Sequence, residues 1–137
     1  MTYLLDTNVL SEWRKAAPNP GVVAWFSRVH VDDVFLSVMS LGEVAKGIHK
    51  LRQRGDHRQA TPLEAWLDST KITFADRLVP VGIEIAEEWG NLIASHPIPP
   101  TDALIAATAK MLGWTLVTRN VKDFEHTGVR VVNPFAE

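Results

Sequence analysis

The sequence predicts an α/β domain built on a parallel sheet, and three observations carry that prediction. Short apolar runs rich in β-branched residues alternate with longer stretches of helical periodicity. The strand-like runs are apolar on consecutive positions, as strands covered by helices on both faces are. The chain has 137 residues, 46% of them hydrophobic and 22% charged. That is enough apolar matter for one core and too little chain for two, so residues 1–137 are expected to form one domain.

Tyr3-Leu4-Leu5 is the first strand, and it stops at Asp6. A short helix is expected from Val9 to Arg14, then a loop from Ala16 to Gly21. Within it, Asn19-Pro20 is an N-cap and first-turn pair for a helix carrying Val22, Trp25, Phe26 and Val29. Val34 to Val38 reads as a buried strand. Ser40 is expected to open a helix reaching about Arg52, with a polar connection from Gly55 to Gln59 and a new helix starting at Thr61-Pro62. Leu78 to Val81 is a short strand, Ile83 to Ser95 a helix, and Pro97, Pro99 and Pro100 break it. Thr101 is expected to cap a helix from Asp102 to Leu112, which Gly113 ends. Thr115 to Thr118 and Val129 to Val132 are the last strands.

In a parallel sheet of this kind, ligands bind outside the carboxyl ends of the strands. Four carboxylates fall at such places. Asp6 follows the first strand, Glu43 lies in the helix after the second, Asp102 opens a nearly all-apolar helix, and Asp123 lies past the strand ending at Thr118. If they converge, they repel, and a counter-ion relieves them. Oxygen-only ligands suit a hard cation, Mg²⁺ or Mn²⁺. Such a cluster beside a phosphate is an arrangement for cleaving phosphodiesters. Each acid also has a local reading. Asp6 caps a helix, Glu43 completes an S-x-x-E capping box with Ser40, Asp102 meets a helix dipole, and Asp123 is a solvated turn residue.

Composition narrows the classes further. Cysteine is absent, which excludes a disulfide scaffold, a thiolate zinc site and a thiol nucleophile. The net charge of -2 excludes a generic basic nucleic-acid coat. No apolar run approaches a membrane span, and the N-terminus lacks a basic segment, so a cytoplasmic setting is expected.

Four segments in this order resemble PIN-domain ribonucleases. They are Leu4-Leu5-Asp6-Thr7-Asn8, Ser40-Leu41-Gly42-Glu43, Pro97-Ile98-Pro99 through Asp102-Ala103 to Ala109, and Leu116-Val117-Thr118-Arg119-Asn120 with Asp123-Phe124. The nearest branch is the VapC-type toxins of toxin–antitoxin pairs, including FitB-like members. The resemblance implies a three-layer α/β/α sandwich on a parallel five-stranded sheet. It implies a metal-dependent endoribonuclease leaving a 5′-phosphate and a 3′-hydroxyl, with Mg²⁺ held by Asp6, Glu43, Asp102 and Asp123 and Mn²⁺ as its substitute. Asn8, Thr118 and Asn120 would be supporting polar groups. A homodimer and a VapB-like antitoxin covering the acidic site are also implied. The chain diverges from the family between Arg54 and Lys71, where the choice of substrate RNA is expected to lie.

Other features carry weaker expectations. Lys46, Lys50 and Arg54 recur at helical spacing, as a phosphate track or as a solvated face. Arg119, beside Thr118, is expected to contact an RNA phosphate or an antitoxin tail. The five histidines show no ligand spacing, and the five tryptophans read mainly as core or interface residues, with Trp13 nearest Asp6. Two rival readings remain: a Mg²⁺-dependent phosphoryl-transfer domain of flavodoxin type, and a non-catalytic interaction module on a PIN scaffold. Asp6-Thr7-Asn8 lacks the D-x-D of the haloacid-dehalogenase-like phosphatases, and Val79 to Gly82 offers no phosphorylatable aspartate.

Overall fold

The computed structural model describes residues 1–136. Strand β1 (Tyr3–Leu5) leads into helix α1 (Thr7–Trp13) and α2 (Pro20–Arg28). Strand β2 (Val34–Ser37) leads into α3 (Val38–Gln53) and α4 (His57–Thr73). Then come β3 (Leu78–Val79), α5 (Ile83–Ser95), α6 (Pro100–Leu112), β4 (Thr115–Val117) and β5 (Arg130–Val132). One-turn 3-10 helices lie at Val31–Asp33, Val121–Phe124 and Pro134–Ala136.

The five strands form one parallel sheet in the order β3-β2-β1-β4-β5. The chain winds outward from β1 to β3, then returns to place β4 on the other side of β1. Winding reverses between β1 and β4, the point where an open α/β sheet leaves a crevice at its carboxyl edge. Asp6 and Thr118 follow those two strands directly. Asp6 N–H donates to Val117 O at 2.9 Å, and Thr118 N–H to Val132 O at 2.9 Å.

Alternation along the strands separates two apolar layers. Leu4, Phe35 and Leu116 face a cluster with Ile85 and Leu92 of α5 and the alanine-rich side of α6. Leu5, Leu36 and Val117 face the opposite cluster, with Val9, Val22 and Trp25 from α1 and α2. Helices on both faces make the three-layer sandwich. A third cluster joins α3 to α4 through Val44, Ile48, Ala60 and Leu67. Buried Arg77 ties the entry to β2, donating to the carbonyls of Val31, Val34 and Thr73 at 2.8–2.9 Å. Nothing in its sequence surroundings marked it for that role.

Several boundaries differ from the sequence reading, and each has a local cause. Helix α1 begins at Thr7, directly after its cap Asp6. Val38 belongs to α3, not to β2, because the Ser37 hydroxyl accepts Met39 N–H and caps the helix there. Helix α4 begins at His57, capped by Asp56, so Thr61-Pro62 does not open it and Pro62 gives up a hydrogen bond inside it. In α6, Pro100 takes the first position, where its missing N–H costs nothing, and Thr101 is no cap. Gly113 ends α6 as expected, in the left-handed conformation at φ 70°.

Candidate active site

Asp6 sits where β1 stops and α1 starts, and it is only 4% exposed. Its backbone is extended, and its Oδ1 accepts Thr7 N–H at 2.8 Å, so it does cap α1. Its other oxygen faces the site. Oδ2 accepts the Thr118 hydroxyl at 2.8 Å and the Asn8 amide at 3.3 Å. The Asn8 amide also reaches Thr118 Oγ1 at 3.3 Å, and Asn8 Oδ1 accepts Arg119 N–H at 3.2 Å. Thr118 Oγ1 in turn accepts Asn120 N–H at 3.1 Å. The Asp6-Thr7-Asn8 and Thr118-Arg119-Asn120 segments are thus knitted across the crevice. Burial holds the Asp6 carboxyl above the usual range; the Thr118 and Thr7 hydrogen bonds oppose this, and the charge of Asp123 adds to it.

Glu43 is the sixth residue of α3, not the third. The expected Ser40–Glu43 capping box is therefore absent. Ser40 is buried inside the helix, and its hydroxyl has no hydrogen-bond partner among the described residues. Glu43 Oε1 instead accepts the Thr7 hydroxyl at 2.6 Å, which holds it beside Asp6. Thr7, which is not among the candidate residues read from the sequence, is therefore a site residue. A hydroxyl directly after a capping acid was the available signal.

Asp102 lies in the first turn of α6. Its carboxyl is pushed up to about 6, first by burial, then by the charges of Asp6, Glu43 and Asp123. One group thus senses the other three. Asp123 comes from the exposed 3-10 turn after β4 and is fixed by its N–H to Asn120 O at 3.1 Å. Among the described residues, no three His, Asp or Glu side chains stand in a preformed metal-holding group.

The basic candidates separate. Lys46 and Lys50 lie exposed on α3 with no ion pair among the described residues, while Arg54 pairs with Asp56 at 3.5 Å past the helix end. Arg119 lies at the crevice, with its guanidinium carbon 4.6 Å from the centre of the Phe135 ring. Trp13 leans on Phe26 at 4.4 Å and lines an apolar groove of about 480 Å³ with Leu10, Val23, Phe26 and Trp66. That groove lies between α1, α2 and α4.

The fold agrees with comparisons to known proteins. The PIN domain model matches residues 3–129. The chain is 30% identical to the VapC ribonuclease Y4jK of Sinorhizobium fredii, with 96% of each chain covered. It is 32% identical to Toxin FitB of Neisseria gonorrhoeae, covering 96% of this chain and 97% of that one. The crystal structure of FitAcB from Neisseria gonorrhoeae superposes with a TM-score of 0.86 at 32% identity, covering 99% of this chain and all of that one. With the carboxylates falling at the sheet's switch point in the same fold, the chain belongs to the PIN-domain family, in its VapC-type, FitB-like branch.

Proposed function

We propose that this chain is a divalent-metal-dependent endoribonuclease, acting as the toxin of a toxin–antitoxin pair. The observation that carries the reading is that Thr7, directly after β1, joins Asp6 and Glu43 through its N–H and hydroxyl, at the sheet edge where Asp102 opens α6 and Asp123 follows β4. Four acids so placed destabilise one another unless a cation is shared between them. Their donor set is all oxygen, which fits Mg²⁺, with Mn²⁺ as its substitute. Asp6, Glu43, Asp102 and Asp123 are the residues that would hold it. When bound, the cation supplies a water of lowered pKa and charge neutralisation at the phosphodiester.

The chain's own residues set the geometry for that chemistry. Thr7 N–H, Thr118 and Asn8 fix both oxygens of Asp6 and take three of its four lone-pair sites, leaving one on Oδ1. Thr7 turns Glu43 toward the same place. Asn120 orients the Thr118 hydroxyl, so that its proton points to Asp6 rather than to solvent. Asp102 opens α6, where burial and the neighbouring acids push its carboxyl up to about 6. No side-chain nucleophile is required. An antitoxin of VapB type, homodimerisation and a cytoplasmic setting belong to the same reading. They rest on the likeness to VapC-type and FitB chains. Among the described residues, no helix is long and apolar enough to cross a membrane.

The test is cleavage of a structured RNA by the purified chain, with Mg²⁺ or Mn²⁺ and with a chelator. Internal cuts that appear with the cation and vanish with the chelator are expected. Intact RNA under both conditions would overturn the reading in favour of a non-catalytic interaction module. Release of phosphate from small phosphomonoesters, without RNA cleavage, would favour a phosphoryl-transfer domain instead.

A further inference from the structure

An acidic crevice is a poor place for a polyanion. The chain's net charge is -2, and four carboxylates gather on the edge where RNA must sit. Beyond the divalent ion shared by the acids, a basic side chain fixed close by is needed to hold the strand. Lys15 is spent on Glu12, at 2.9 Å. Arg54 is turned to Asp56. Lys46 and Lys50 lie along the solvent side of α3.

Arg119 differs from all of these. Its backbone N–H is bonded to Asn8, whose amide is bonded to Asp6, so its position is set by the acid site itself. Its guanidinium makes no hydrogen bond or ion pair with any described residue. Instead, its face rests 4.6 Å from the Phe135 ring centre. Stacking uses the face of the guanidinium and leaves its N–H edge open. That edge matches two phosphate oxygens. Phe135 is itself held. Its N–H donates to Asn133 Oδ1 at 3.0 Å, its ring packs on the β1–α2 core cluster, and its 3-10 turn lies against α2. Arg119 also lies near enough to Glu12 to help keep that carboxyl low, but Glu12 already takes Lys15 and Asn19 N–H.

Building on the nuclease reading, we infer that Arg119 binds an RNA phosphate beside the scissile one, and that Phe135 is the positioning residue that aims it. The C-terminal turn is then part of the substrate-binding apparatus, not merely the end of the fold.

The experiment uses the full chain and a double-mutant cycle. RNA affinity is read by fluorescence anisotropy of a labelled oligoribonucleotide in Mg²⁺, with Asp102→Asn present throughout to stop cleavage. KM and kcat are read without that change. Arg119→Ala should weaken binding and raise KM about tenfold, with little change in kcat, and should lower the salt slope by about one. Arg119→Lys should recover part of this, since a point charge lacks the fork. Phe135→Leu should raise KM about two- to fivefold, and Phe135→Tyr should restore it. In the Arg119→Ala background, Phe135→Leu should add nothing.

Additive effects there would make Phe135 a packing residue only and overturn the inference. So would unchanged RNA affinity in Arg119→Ala. If that variant kept RNA affinity but lost binding of a Glu-rich peptide, Arg119 would belong to a protein partner. The expected affinities and cycle with no cleavage by the unmodified chain would overturn the nuclease reading, while Arg119 and Phe135 would still form an RNA-phosphate contact.

Discussion

Helix α1 carries a buried carboxylate at each end, and the two are opposites. Glu12, near the C-terminal end, is 8% exposed, accepts Lys15 Nζ at 2.9 Å and Asn19 N–H at 2.9 Å, and its carboxyl is held below the usual range, chiefly by the Lys15 bond. It ties the loop before α2 to α1. Asp6, at the N-terminal end, is 4% exposed and receives only neutral donors. Burial lifts its carboxyl, and the charge of Asp123, of its own sign, adds to this. A buried acid with its own cation has finished its work in folding. A buried acid surrounded by other acids is held ready for a cation that the chain does not supply.

The largest effect should come from exchanging the charge at each end. Asp6→Asn keeps an acceptor for Thr7 N–H, so α1 should still be capped. It removes a proposed ligand and sets an NH2 against the Thr118 and Asn8 donors, so RNA cleavage should fall by at least about a hundredfold, while relief of like-charge repulsion offsets the lost hydrogen bonds and the change in melting temperature should be small. Glu12→Gln should do the reverse: cleavage near that of the parent, but a lower melting temperature. Circular dichroism melts and a cleavage assay on both variants read this directly. Loss of cleavage from both, or from neither, would erase the distinction between the two ends.

The second prediction sharpens the claim that only one end awaits a cation. A divalent ion that binds the folded chain alone stabilises it by about 2.7 kcal/mol at a hundred times its Kd. Mn²⁺ should therefore raise the melting temperature of the parent in a concentration-dependent way. It should raise that of Glu12→Gln by the same increment, and that of Asp102→Asn by much less. Equal shifts in the parent and Asp102→Asn would remove Asp102 from the ligand set.

How much of this was legible in the sequence depends on the kind of information required. The parallel sheet covered on both faces and the places of Asp6, Asp102 and Asp123 after strands or at a helix start follow from local pattern; the strand order does not. The start of α3 did not. Ser37 and Ser40 are both competent caps, and Val34 to Val38 is a continuous β-favouring run. Pairing of Ser37 with Val79, the last residue of β3, fixes where the strand can end, and that is a tertiary fact. The Thr7–Glu43 and Arg119–Phe135 contacts were illegible for the same reason, since 36 residues separate the first pair and still other elements the second. Arg77, whose guanidinium serves three carbonyls, reads in the sequence as a surface charge.

That displaced cap gives the third prediction. Ser37→Ala removes the true cap of α3 and should cost about 1 kcal/mol while most cleavage survives. Glu43→Gln leaves the cap untouched and keeps an acceptor for the Thr7 hydroxyl, yet an amide is a poor ligand for Mg²⁺. It should fold as well as the parent and need about tenfold more metal to cut. Denaturant melts beside metal-titrated cleavage separate the two. Full cleavage by Glu43→Gln at the parent's metal concentration would leave a site of three acids.

The smallest effect expected is a change of slope with pH, and its sign is fixed. The Asp102 carboxyl is raised from 3.8 to about 6 in the folded chain. Between those values the folded state holds more protons than the unfolded one, so stability falls as pH rises from about 4 to about 6 and stays lower above. The unscreened shift would correspond to about 3 kcal/mol, but Asp102 is only partly buried, and solvent screening reduces this to about 1 kcal/mol. Asp102→Asn cannot ionise, so it should match the parent near pH 4 and exceed it by about that amount near pH 7 in metal-free buffer. Adding Mg²⁺ at neutral pH should close the gap, because the cation neutralises the repulsion that the substitution removes. Denaturant melts of the two proteins at both pH values, with and without Mg²⁺, measure each corner. A gap that is the same at both pH values would come from packing at the start of α6, and would separate Asp102 from the charge of the other three acids.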